Sequence, residues 1–251
     1  MIFGLMGAMP EEIENYISLL SEFSITEIGG RKYHSGKIAG INVVIVFSKW
    51  GKVAAASTVS TLINHFKITE LIFTGVAGAI HHSIKIGDVV IAKRLVQHDV
   101  DARPLFNQFE IPLTGISYFI TEDDRINFTI EIITLILKDK KIETKRIESG
   151  SFEKINLSPN IHVGDIASGD KFFSSKKDKD RLINELPSVL CVEMEGAAVA
   201  QVCYEYNLPF TIVRVISDNA NEEAPFDFNS FVNYVSAEYF LPFIKLYFKK
   251  L

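Results

Sequence analysis

Glu193 and Glu195 flank Met194 where the apolar run Val189-Leu190-Cys191-Val192 gives way to an alanine-rich stretch opening at Gly196. Carboxylates at the closing end of a buried strand are costly to desolvate, so they tend to face a cleft and hold something polar there. Asp218 ends a second apolar run, Val213-Arg214-Val215-Ile216-Ser217, and Glu11 and Glu12 follow a third, Ile2 to Ala8. Three strand ends carrying acids read as one active site whose chemistry is proton transfer. An Asp desolvated at a strand end stays protonated and can donate. A second carboxylate in a more polar setting stays ionised and can activate water. One carboxylate can also accept from two vicinal hydroxyls, a role that suits Glu195. The alternative for Glu193 and Glu195 is that both are helix-start acids favoured by the helix dipole.

Alternating elements must bring these acids together. Ile2 to Ala8 is a continuous apolar strand, and Pro10 suits the first turn of a helix carrying Ile13, Tyr16, Ile17 and Leu20. A meander punctuated by Gly29-Gly30 and Gly40 ends in strand Ile41 to Phe47. From Gly51 a helix places Ala56, Val59, Leu62, Ile63 and Phe66 on one face. Leu71 to Thr74 is a strand closed by Gly75-Val76-Ala77-Gly78, and Asp88 to Val96 is another. Residues 101–117, with Pro104 and Pro112, read as a long loop, followed by a helix from Asp123 to about Lys140. The last elements are strands 162–167, 189–192 and 210–217, a helix over 195–206, and a final helix from about Asn229. This is one domain, residues 1–251, with a largely parallel or mixed sheet covered by helices. Ligands of such sheets bind beyond the carboxyl ends of the strands, where the acids and glycines fall.

Composition removes several classes. A net charge of -5 argues against a nucleic-acid surface, and the charge runs Lys138 to Lys145 and Lys176 to Arg181 read as solvated faces. No apolar run has transmembrane length and the first residues lack a basic signal segment, which points to a cytoplasmic protein with no membrane partner. Cys191 and Cys203 read as buried free thiols. The six histidines are scattered, and His98-Asp99-Val100-Asp101 lacks partners at metal-ligand spacing, so no metal is expected. The glycine pairs Gly4/Gly7 and Gly75/Gly78 form neither a dinucleotide fingerprint nor a phosphate loop, and each alone reads as a tight turn. No Gly-x-Ser-x-Gly elbow exists, and neither cysteine has a nearby histidine in sequence.

At these residues the chain resembles the 5′-methylthioadenosine/S-adenosylhomocysteine nucleosidases, of the nucleoside phosphorylase superfamily. The matching pieces are Gly7-Ala8-Met9-Pro10-Glu11-Glu12, Gly51-Lys52-Val53-Ala54-Ala55-Ala56, Thr74-Gly75-Val76-Ala77-Gly78 and Gly87-Asp88-Val89-Val90. They continue with Gln97-His98-Asp99-Val100-Asp101, Ser168-Gly169-Asp170, Val192-Glu193-Met194-Glu195 and Ser217-Asp218, in family order along nearly the whole chain. The resemblance implies an α/β fold, three-layer α/β/α around a central mixed, largely parallel twisted sheet, in a homodimer that needs no cofactor and no metal. It implies hydrolysis of the N-glycosidic bond of a 5′-thio-substituted adenosine to adenine and a thioribose. By matching position, Glu12 would activate water, Asp218 would protonate N7 of the leaving adenine, and Arg214 would orient water and carboxylates. Glu195 would hold the ribose hydroxyls beside the Met194 backbone, with Glu193 and Ser217 also at the substrate. Phe172 and Phe173 would stack on and read adenine, Phe226 would cover the ribose, and Met9 and Trp50 would line the apolar 5′ end. Aromatics near Phe106 and Phe109 could come from a partner subunit.

Two residues depart from the family pattern. Val76 stands where serine is common, removing a hydroxyl near ribose and water, and Trp50 replaces a smaller aliphatic residue, narrowing the 5′ pocket. The chain also reads as longer than the family between about Glu143 and Pro159. Two other functions compete with hydrolysis. A purine nucleoside phosphorylase would need arginines or a cluster of N–H donors for phosphate, whereas the Gly7 turn carries acids. A non-catalytic nucleoside-binding or adhesive protein would need only one of Glu12 and Asp218.

Overall fold

The computed structural model describes residues 1–138, 142–148, 151–222, 224, 231 and 236–251; the side chains at 11, 12, 142–148, 151–157, 236 and 237 fall outside the description. Strand β1 (Ile2–Gly7) leads through Ala8 and Met9 into α1 (Pro10–Ile17), and the meander β2 (Ser21–Ile28), β3 (Arg31–Ile38) and β4 (Ile41–Phe47) follows. Then come α2 (Lys52–Asn64), β5 (Glu70–Ala79), β6 (Val89–Gln97), the short β7 (Phe119–Ile120) and α3 (Asp123–Leu137). A separate hairpin, β8 (Ile142–Glu148) and β9 (Ser151–Leu157), occupies the stretch read as an insertion. The chain continues with β10 (Ile161–Ser168), α4 (Lys176–Glu185), β11 (Val189–Glu193), α5 (Gly196–Glu205) and β12 (Phe210–Asp218). It closes on a π-helical turn, Ser236–Phe240, and α6 (Leu241–Lys250).

Ten strands form one mixed sheet in the order β11-β10-β6-β12-β5-β1-β4-β3-β2, with β7 on β6. The sheet curls until β11 also pairs antiparallel with β5, Val192 opposite Gly78. Helices α2 and α5 cover one face with a core including Leu62, Phe73, Val199 and Ile212. Helices α1, α3 and α6 cover the other, around Phe3, Ile45, Ile133 and Phe243. All nine residues of β12 are buried, as a strand covered on both faces requires. Among the described residues no helix is long and apolar enough to cross a membrane.

Several expectations need correction. Neither glycine pair makes a turn. Gly4 and Gly7 lie within β1, and β5 runs unbroken through Gly75 and Gly78 to Ala79 because β12 pairs along that stretch. At Gly4 a Cβ would sit 2.8 Å from Ile68 and 2.9 Å from Leu71, so the glycine there serves close packing. The buried face of α2 is Ala55, Thr58, Val59 and Leu62, turned by one position from the expected Ala56 side. The charge run at Lys176 to Arg181 is a helix, α4, in which only Leu182 is buried. Phe231 and Tyr239 are buried as expected of the last helical face, while Val235 and the proposed helix start at Asn229 lie outside the described residues.

Candidate active site

The carboxyl ends of β5, β10, β11 and β12 are in register: Ser168 pairs with Glu193, and Gly78 with Asp218. Around them opens a cleft of about 630 Å³, continuous with solvent and walled by Met9, Trp50, Val76, Phe172, Phe173, Met194, Glu195 and Asp218 among others.

Glu193 ends β11 and accepts from the backbone N–H of Gly196 at both oxygens (2.9 and 2.8 Å) and from that of Glu195 (3.2 Å). These are the unsatisfied donors of the first turn of α5, so Glu193 is the helix-start acid. Arg214 donates to its Oε2 at 2.8 Å, and Ser168 Oγ donates to its Oε1. Arg214 is buried under the cleft, with its guanidinium 4.0 Å from the Phe73 ring centroid and hydrogen bonds to the Phe73 and Val213 carbonyls. The two side chains form a buried ion pair at the floor of the cleft.

Glu195, buried and lining the cleft, turns away from Glu193: its Oε1 accepts the Gly51 N–H at 2.8 Å, at the N-terminus of α2. Gly51 has φ 90°, a conformation that favours glycine, and a Cβ there would lie 2.9 Å from Asp170 Oδ1. Asp170 caps the next amide, Lys52 N–H, at 2.8 Å, while Asp99 holds both Lys52 Nζ (2.6 Å) and the Asp170 amide (2.9 Å). This lattice sets the Glu195 carboxyl at a helix N-terminus, a position that favours negative charge.

Asp218 owes its place to a bulge. The pairing of β12 with β5 slips between Ile216 and Asp218, which leaves Ser217 unpaired and turns Asp218 toward Gly78. Its oxygens accept from Ser217 Oγ and from the Ala220 N–H, each at 2.8 Å. A Cβ on Gly78 would stand 2.8 Å from Asp218 Oδ1 and 3.0 Å from Ala220 Cβ. Gly78→Ala should therefore displace this carboxylate and, with Asp218 in the reacting role that the resemblance implies, cost about 10²-fold in kcat. Steady-state kinetics with a thermal melt would check it; unchanged kcat would show that Asp218 does not need this contact.

Phe172 and Phe173 line the wall between β10 and α4. The buried His98 ring meets Phe173 edge-on at 5.2 Å, and burial pushes its imidazolium below the ordinary range. Met9, Trp50 and Val76 add apolar side chains to the cleft lining, with Trp50 about half exposed (53%). Glu12 lies in the first turn of α1, its side chain outside the description, and Phe226 lies outside the described residues altogether. Phe109 is buried against its own chain's Phe173 cluster. Both cysteines are buried and free, and burial pushes their thiols far up. Among the described residues no three His, Cys, Asp or Glu side chains gather as a metal site would require.

Sequence reasoning missed Ser168, Asp170 and Lys179 as parts of this assembly. Ser168 and Asp170 sat in a matched motif, but no local pattern tells that they reach Glu193 and α2.

Known proteins resemble this chain over nearly its whole length. Residues 2–241 match the profile of the phosphorylase superfamily. A 5′-methylthioadenosine/S-adenosylhomocysteine nucleosidase of Staphylococcus aureus is 33% identical over 235 residues, 92% of each chain. The Streptococcus pneumoniae nucleosidase of the same name, solved with a transition-state inhibitor, superposes with a TM-score of 0.82 at 34% identity over 98% of this chain and 99% of that one. A futalosine hydrolase of Helicobacter pylori superposes with a TM-score of 0.84 at 32% identity, covering 100% of this chain and 98% of that one.

Proposed function

This chain belongs to the 5′-methylthioadenosine/S-adenosylhomocysteine nucleosidase family of the phosphorylase superfamily, and from that premise we propose how it hydrolyses the N-glycosidic bond of 5′-thio-substituted adenosines. The observation that carries the reading is the convergence of Glu195 and Asp218 on one cleft also lined by Phe172, Phe173 and apolar side chains. Adenine lies against Phe172 and Phe173, and the ribose hydroxyls donate to Glu195. Glu12 takes a proton from water as the water oxygen bonds to C1′. The bond from C1′ to N9 breaks, its electron pair moves into the purine, and Asp218 gives its proton to N7. The sugar passes through an oxocarbenium-like state, which the anion of Glu195 stabilises. The Arg214–Glu193 pair holds the strand ends still while charge moves above it.

The 5′-thio group is apolar and suits Met9, Val76 and Trp50. Val76 supplies no hydroxyl, so water orientation falls to the carboxylates. Phosphorolysis is disfavoured because the cleft's arginine, Arg214, is already paired with Glu193. A cytoplasmic homodimer belongs to the same reading, with Trp50 and Val53 (80% exposed) at the start of α2 as the apolar surface a second copy would cover. The test is adenine release from methylthioadenosine, adenosylhomocysteine and futalosine, each with and without phosphate, on protein whose mass in solution is measured by light scattering. Phosphate-independent release with free methylthioribose is expected, from a particle of twice the chain mass. Release that requires phosphate would overturn the hydrolytic reading, preference for futalosine would move the substrate, and a monomeric mass would remove the dimer.

A further inference from the structure

Lys179 stands on α4, in the charge run that the sequence assigns to solvent, yet its side chain turns inward. Its ammonium donates to the Ala79 carbonyl at 2.7 Å and to the Asn219 carbonyl at 2.8 Å. Ala79 closes β5 immediately after Gly78, the residue against which Asp218 packs, and Asn219 directly follows Asp218. One side chain thus ties together the two backbone segments that hold the acid, and sets a positive charge at their junction.

Among the described residues around this junction, Lys179 is a cation whose charge couples to Asp218. Arg214 is spent on Glu193, and Glu195 is held at the start of α2. On α4, Asp178 is bound by Lys171 (2.7 Å) and Ser175, while Asp180 and Arg181 are exposed. Glu222, on the loop after β12, accepts from the Lys176 amide at 3.1 Å. Cys191, beneath the site, is a neutral thiol. Burial lowers the affinity of Lys179 for its proton, and Asp218 is the strongest counterweight, ahead of Asp180.

We propose that Lys179 is a positioning residue that anchors the Asp218 turn to β5 and, by its fixed charge, makes Asp218 a stronger acid. The inference rests on the reading of Asp218 as proton donor. A cation beside a carboxyl stabilises the anion left after proton transfer. The same charge lowers the pH above which the acid has already lost its proton.

The test is the pH dependence of kcat and kcat/KM for methylthioadenosine in Lys179→Met, Lys179→Gln and Lys179→Arg. Removing the charge should move the high-pH limb upward by on the order of one unit, as loss of a nearby cation does. At the optimum kcat should fall several-fold with KM little changed. Gln keeps a hydrogen-bond donor without the charge, so its limb should move as that of Met does, whereas Arg should keep the native limb. A limb that stays in place in both neutral variants, or that moves equally in Lys179→Arg, overturns the proposal. Should Met fail to fold, Gln against Arg carries the same comparison. Asp218→Asn separates the two claims: near-normal turnover there overturns the acid itself, while an inactive Asn variant beside unmoved Lys179 limbs overturns only the role of Lys179.

Discussion

Asp218→Asn should lower kcat for methylthioadenosine by about 10²–10⁴-fold, the range for removing a general acid, while nucleoside affinity stays within a few-fold of wild type. The reason lies in what each oxygen of Asp218 already does. Both accept hydrogen bonds from this chain, Oδ2 from Ser217 and Oδ1 from Ala220. An Asn carbonyl can keep one of these bonds and fills the same volume, so the bulge at Ser217 and the packing on Gly78 survive. What is lost is the transferable proton. In the proposed mode, binding rests on other groups that line the cleft, Phe172, Phe173 and Glu195. Trp50 is the single tryptophan of the chain and lines the cleft, so its fluorescence reports affinity directly. A weakened Kd with kcat preserved would make Asp218 a binding residue and remove the acid from the mechanism.

The acids were legible in the sequence because they end apolar runs, and that pattern survives folding: Glu193 and Asp218 are the last residues of β11 and β12. Their division of labour was not legible. Glu193 and Glu195 are separated by Met194 alone, yet one turns back to cap α5 and pair with Arg214 while the other crosses to Gly51 of α2. That choice is decided by partners far away in the chain, about which local periodicity says nothing. Gly75 and Gly78 misled for a related reason. Glycine signals either a turn or a close approach, and only the pairing of β5 with β11 and β12 shows it is the second here. Helix α4 was missed because Leu182 alone of its residues is buried, leaving no apolar stripe to read. Its Lys179 turns inward to carbonyls, a contact that a pattern of charges cannot display.

Glu12→Gln should cost about 10²–10⁴-fold in kcat and remove the low-pH limb of the profile, with KM little altered. Its place follows from the register of α1 on β5. The Tyr16 hydroxyl hydrogen-bonds Thr74 Oγ1 at 2.8 Å, and both residues are buried. Met9, just before α1, lines the cleft together with Val76, so the helix descends from the cleft as β5 climbs toward it. Four residues back along a helix span about 6 Å, and two residues forward along a strand span about 6.6 Å. By this spacing the backbone of Glu12 is level with Val76 along the sheet; among the described residues there, Val76 has no hydroxyl, and Arg214 and Glu193 are paired. The Gln variant keeps size and hydrogen bonding but cannot take a proton, so water must attack unassisted. Near-normal turnover in Glu12→Gln would mean that a different group activates water, and the assignment would then fall although Asp218 and Glu195 stood.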